Sequence, residues 1–150
     1  MWERIMIIQS CSHLKSVLDP STRQGVIKKA IEELTPIAQT FDAVAFCGNS
    51  GALVAPIVAD ALNKTILLVR KSGIDCASYE IVEGAVASRY IIIDDLVCSG
   101  KTLRHIQQSI KKHHFAMSEC SGIYLYGGDI FRADTFKKVY GMNLLNRKDK

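Results

Sequence analysis

Residues 90–102 read Tyr90-Ile91-Ile92-Ile93-Asp94-Asp95-Leu96-Val97-Cys98-Ser99-Gly100-Lys101-Thr102. The run passes from an apolar, β-branched stretch to two acids, then to a small polar turn that opens a helix. A buried strand holds such a turn rigidly. Carboxylates at its end accept hydrogen bonds from vicinal hydroxyls or hold a hydrated divalent cation. The turn 98–102 presents backbone N–H groups at a helix N-terminus, which attract an anion. Gly100 lets the backbone approach that anion closely, and Ser99 and Thr102 add hydroxyl donors. Diol acceptors at one end and a phosphate site at the other describe a pocket for ribose 5-phosphate. Two acids merely capping a tight strand-to-helix turn are the plainer alternative.

Outward from this run, apolar strands alternate with helical patterns. Arg4–Ile8, Ala43–Cys47, Ile66–Val69, Tyr90–Ile93 and Ile123–Tyr126 read as short strands. A helix signal starts at Asp19-Pro20-Ser21 and places Ile27, Ala30, Ile31, Leu34, Ile37, Ala38 and Phe41 on one face. Further helices are expected from about Ala52 to Leu62, and from near Gly100 to the basic cluster Lys111-Lys112-His113-His114, where cations suit a helix C-terminus. The alternation implies an α/β fold, a single domain around a central, mostly parallel sheet flanked by helices. In such sheets ligands sit beyond the carboxyl ends of the strands. That rule selects Gly48–Gly51, Arg70–Ser88 and Asp94–Thr102.

Composition narrows the classes. The chain has 150 residues, of which 48% are hydrophobic and 23% charged, values that exclude disordered and collagen-like chains. No apolar run approaches the ~18 residues that span a bilayer. Five cysteines without a C-x-x-C spacing suggest reduced thiols and a cytoplasmic setting, and neither they nor His113-His114 suggest a metal site. The net charge of +4 comes from the stretch after Lys137, where Lys137, Lys138, Arg147, Lys148 and Lys150 face Asp149 alone. The remaining charge is balanced, so a nucleic-acid partner is not expected.

The run 90–102 closely resembles the phosphoribosyl-diphosphate (PRPP) motif of the type I phosphoribosyltransferases: four apolar residues, two acids, three variable residues, Thr or Ser, Gly, any residue, Thr. The resemblance implies transfer of the phosphoribosyl group of PRPP to a nucleobase, a purine before a pyrimidine, with magnesium carried mainly by the substrate. By that resemblance Asp94 and Asp95 are the catalytic acids on the ribose, and Cys98, Ser99, Gly100, Lys101 and Thr102 hold the 5-phosphate. Gly48, Asn49, Ser50 and Gly51, with Arg70 and Lys71, receive the diphosphate. Ser78 and Tyr79 belong to a flexible loop that excludes water. Magnesium would touch Asp94 and Asp95 at most in part. Family likeness also implies a homodimer, and a small base-binding hood drawn from the termini, Met1–Asp19 or Gly127–Lys150, with Trp2, Tyr126, Phe131, Phe136 and Tyr140 as candidate stacking surfaces.

The branch is divided. Arg70-Lys71 resembles the adenine enzymes, whereas Ser78-Tyr79 and Lys101 resemble the hypoxanthine-guanine enzymes. Cys98 stands where those have an Asp for the purine ring's proton, and an ordinary thiol is a poor substitute. Three rival readings remain. Ser99-Gly100-Lys101-Thr102 ends like a Walker A loop, but the first glycine of that pattern falls on Asp95. Gly48-Asn49-Ser50-Gly51-Ala52 misses a nucleophile elbow at its last position. A non-catalytic PRPP or nucleotide-binding regulator of the same fold is the main alternative.

Overall fold

The computed structural model describes residues 14–71, 80–127, 137 and 141–146. The expected strand Arg4–Ile8 lies outside them, as do Ser78 and Tyr79 and most of the proposed hood. The chain enters through α1 (Lys15–Leu18) and α2 (Pro20–Leu34). Asp19 caps α2, accepting from the Ser21 backbone N–H at 2.8 Å and its hydroxyl at 2.6 Å, while Pro20 supplies a helix-ready φ at the first turn. The α-helical ladder stops after the Thr35 N–H bonds the Ile31 carbonyl, because Pro36 has no N–H to continue it. A 3₁₀ segment, Thr35–Thr40, carries the chain on to Phe41.

Five strands follow: β1 (Ala43–Phe46), β2 (Thr65–Val69), β3 (Val82–Glu83), β4 (Arg89–Asp94) and β5 (Glu119–Leu125). Their order across the sheet is β3-β2-β1-β4-β5, parallel throughout except for β3, which runs antiparallel to β2. β3 is unforeseen in the sequence. Between β1 and β2 the expected single helix is two, α3 (Gly48–Ala52) and α4 (Ala55–Ala61). Pro56 explains the break, since in a continuous helix it would abolish the bond to the Ala52 carbonyl. α5 (Lys101–His113) links β4 to β5.

Period-two alternation divides the core between the two faces of the sheet. Ala43, Ala45, Leu67, Ile92 and Ile123 face α5, whose Leu103, Ile106 and Ile110 are buried against them. Val44, Phe46, Ile91, Ile93 and Tyr124 face Val17, Leu34, Val54 and Val58 of the other helices and their connections. Ile91, Ile92 and Ile93 are fully buried, each contributing about 1.5–3 kcal/mol of transfer free energy. That burial anchors the strand whose end carries the two acids.

Beyond α5, Phe115 and Ala116 adopt positive φ, and buried His114 sets its Nδ1 2.7 Å from the Ser118 hydroxyl, which donates to the Ala87 carbonyl. Residues 141–146 lie along the outer edge of β5. Ile123 donates to the Asn143 carbonyl and accepts from Leu145, both at 2.8 Å. The Asn146 amide pairs with both backbone groups of Leu125, at 2.9 and 2.7 Å.

Candidate functional site

β2 pairs with one side of β1 and β4 with the other, so the chain reverses direction across the sheet between β1 and β4. At such a switch point the connections leave in opposite directions and open a crevice. A cleft of about 620 Å³ lies there. It is lined by Gly48, Asn49 and Ser50 after β1, by Asp94, Asp95 and residues 98–102 after β4, by Lys71 after β2, and by Leu14 and Cys47. Eleven of the thirteen proposed ligand-holding residues outside the flexible loop therefore meet around one opening: of Gly48–Gly51, Arg70, Lys71, Asp94, Asp95 and Cys98–Thr102, Gly51 and Arg70 alone do not line it.

Asp94 and Asp95 are each only 6% exposed. Asp94 Oδ1 accepts from the Ser50 hydroxyl and from the Asp95 backbone N–H, both at 2.8 Å. One oxygen is thus committed to the protein. Burial pushes the Asp94 carboxyl up to about 6, partly offset by the Ser50 hydroxyl, with the neighbouring Asp95 carboxylate adding to the rise. The peptide between the acids is held from behind, because Tyr126 N–H donates to the Asp94 carbonyl at 3.0 Å and Gly127 N–H to that of Asp95 at 2.7 Å.

The turn after the acids opens α5 with Gly100 at the N-cap, φ +77°, in the left-handed region that glycine enters without a Cβ penalty. The cap offers no side-chain acceptor, which leaves the first turn suited to an external anion. Cys98, Ser99, Lys101 and Thr102 are exposed around it. Ser99 Oγ accepts a long bond from the Lys101 N–H, 3.4 Å, and the Arg104 guanidinium grips the Ser99 carbonyl at 2.8 Å. The turn is tied at both ends.

Across the cleft, Gly48 sits at φ +79°, and a Cβ there would lie 3.1 Å from Lys71 Cε. The Lys71 side chain is therefore folded over the β1 turn, bringing its ammonium to the cleft. Arg70 goes elsewhere. Its Nη2 lies 2.9 Å from Glu83 Oε1 on β3, and it lines a neighbouring cavity of about 390 Å³ beside Phe46, Ala52 and Leu68. Gly51 is buried beneath the turn. Tyr126, a candidate stacking surface, uses its hydroxyl to hold the Ser50 carbonyl at 2.7 Å. That support, like the bond from Ser50 to Asp94, joins distant residues and has no local signal in the sequence. Burial raises the Cys47 thiol, with the nearby Lys71 charge opposing the rise. It is a wall residue rather than a nucleophile.

The Asp94 and Asp95 carboxylates in the cleft are oxygen donors of the kind that suit magnesium. Among the described residues no group of three or more His, Cys, Asp or Glu side chains is placed to hold a metal ion.

No family model matches the chain. The chain is 32% identical over 104 residues to an adenine phosphoribosyltransferase of Bifidobacterium longum, an overlap of 58% of this chain and 54% of that protein. The chain spans about half the length of the curated relatives it matches. Its fold is that of orotate phosphoribosyltransferase from Aeropyrum pernix, with a TM-score of 0.65 at 16% identity, covering 87% of this chain and 72% of that one. Adenine phosphoribosyltransferase from Trypanosoma brucei, solved with AMP, pyrophosphate and ribose-5-phosphate, superposes with a TM-score of 0.56 at 15% identity over 75% of this chain and 55% of that one. The strand order and the cleft beyond it thus belong to a fold shared with solved orotate and adenine phosphoribosyltransferases, and over 104 residues the sequence is similar to an adenine phosphoribosyltransferase.

Proposed function

We propose that the chain transfers the 5-phosphoribosyl group of PRPP to a nucleobase nitrogen and releases diphosphate. The observation that carries this reading is the meeting of Asp94, Asp95, the 98–102 turn and Lys71 around one cleft. The turn takes the 5-phosphate at the N-terminus of α5. Asp94 and Asp95 accept from the ribose hydroxyls, and Lys71 with the Gly48–Ser50 backbone receives the diphosphate. As the glycosidic bond breaks, positive charge grows on the sugar and negative charge on the departing group. Buried carboxylates on one side and an ammonium on the other stabilise that separation. Holding both ends of PRPP also fixes the anomeric carbon for attack. Magnesium, held by the substrate with Asp94 or Asp95 beside it, would neutralise diphosphate charge.

The acceptor in this reading is a purine, supported by the 32% identity to an adenine enzyme against 22% to an orotate enzyme of Coxiella burnetii. The family likeness supports a homodimer. Cysteine usage supports a cytoplasmic setting, and no described helix is long and apolar enough to cross a membrane. One observation favours the second reading, a regulator that binds PRPP without turning it over: Glu83 draws Arg70 away from the cleft. Pyrophosphate release from PRPP and magnesium across adenine, hypoxanthine, guanine, uracil and orotate tests both. Release with one base supports the transferase. Binding of PRPP without release under any base supports the regulator, and absence of PRPP binding overturns both.

A further inference from the structure

The cation that faces the cleft is delivered by the backbone on which it stands, and Arg70 just before it is held through its N–H, its carbonyl and its side chain. Arg70 N–H donates to the Ile81 carbonyl at 2.8 Å, across the β2–β3 pair. Its guanidinium is paired with Glu83. Its carbonyl lies 2.6 Å from Nε2 of His105, a half-buried residue in the second turn of α5. A carbonyl oxygen only accepts, so Nε2 carries the proton. That contact fixes the plane of the peptide joining Arg70 to Lys71 and so the direction in which the Lys71 side chain departs. The same helix carries the phosphate turn at its N-terminus. His105 therefore ties the strand end that bears Lys71 to the helix that bears the anion site.

We propose, on the phosphoribosyl reading above, that His105 is a positioning residue that sets Lys71 for the diphosphate of PRPP. It acts through the Arg70 carbonyl and touches no substrate. Its removal should leave the 5-phosphate site intact and loosen the diphosphate side, a split that general loss of structure would not produce.

The test uses the full chain and three probes with magnesium: PRPP, inorganic pyrophosphate and ribose 5-phosphate, each titrated calorimetrically into wild type, His105→Leu and His105→Gln. Glutamine carries its amide nitrogen near the place of Nε2. His105→Leu is expected to weaken PRPP and pyrophosphate about five- to tenfold, the worth of one hydrogen bond. Ribose 5-phosphate should bind as in wild type, and His105→Gln should recover most of the loss. Equal weakening of all three probes, no weakening of any, or no recovery by glutamine overturns the proposal. A wild type that binds pyrophosphate and not PRPP overturns the phosphoribosyl reading, and His105 is then judged on pyrophosphate. A wild type that binds neither overturns both.

Discussion

The Ser50 hydroxyl donates to Asp94 Oδ1 at 2.8 Å across 44 positions of sequence, joining the turn after β1 to the acid that ends β4. A residue expected to face diphosphate spends its hydroxyl on a carboxylate instead. The bond favours the ionised acid against a burial that opposes it. Ser50→Ala should therefore leave PRPP affinity near wild type at pH 8 and lower it about fivefold at pH 6. Titrations at the two pH values check this, and an equal loss at both would show that the hydroxyl serves the ligand directly.

Asp94 itself should trade stability for binding. Its folded-state proton affinity is raised, to about 6 from 3.8. The folded state thus holds this proton more tightly than the unfolded one, and the stability it lends is full below pH 3.8 and lost as pH rises through about 6. Asp94→Asn should raise the thermal midpoint at pH 8, with a gain on the order of 1–3 kcal/mol that vanishes near pH 4. The same variant should lose PRPP binding. A lower midpoint at pH 8 would contradict the assignment.

Gly48→Ala places a Cβ at φ +79° and 3.1 Å from Lys71 Cε. The backbone strain costs about 1–2 kcal/mol, and the lysine must move aside. Denaturant unfolding should register the first effect and weakened pyrophosphate binding the second. Retained affinity would separate Lys71 from the diphosphate.

His114 acts in the opposite pH sense to Asp94. Burial holds its imidazole below the usual histidine range, with the His113 charge as a lesser cause. The stability it lends is full above the unfolded value of 6.5 and lost as pH falls. Because Ser118 spends its proton on the Ala87 carbonyl, Nδ1 of His114 must be the donor between them. His114→Asn, which keeps a donor near that place, should lose less stability than His114→Ala, whose cost should be about 2 kcal/mol. Unfolding midpoints at pH 8 and pH 5.5 check both, and the asparagine variant should lose the acid dependence.

Local signals made much of the architecture legible. The apolar run Tyr90–Ile93 ended in acids where the strand ends, and Asp19-Pro20-Ser21 opened a helix as its chemistry requires. Pro56 already contained the helix break at Val54, had its missing N–H been weighed against the apolar pattern. β3 was beyond reach, because two residues carry no periodicity and owe their state to β2 and the Arg70–Glu83 pair. The same holds within the site. Motif spacing brought the acids and the 98–102 turn together, but Arg70 and Lys71, adjacent and alike in charge, part company because Glu83 waits on one side and Gly48 on the other.

The stretch 143–146 has a colloidal consequence. By engaging Ile123 and Leu125 it occupies the hydrogen-bonding margin that β5 would otherwise offer to another molecule, while among the described residues the opposite margin is the short strand Val82–Glu83. Asn146→Ala should unmask two peptide groups at once. Concentrated samples of that variant are then expected to turn cloudy on mild warming, well before light scattering changes in the parent protein.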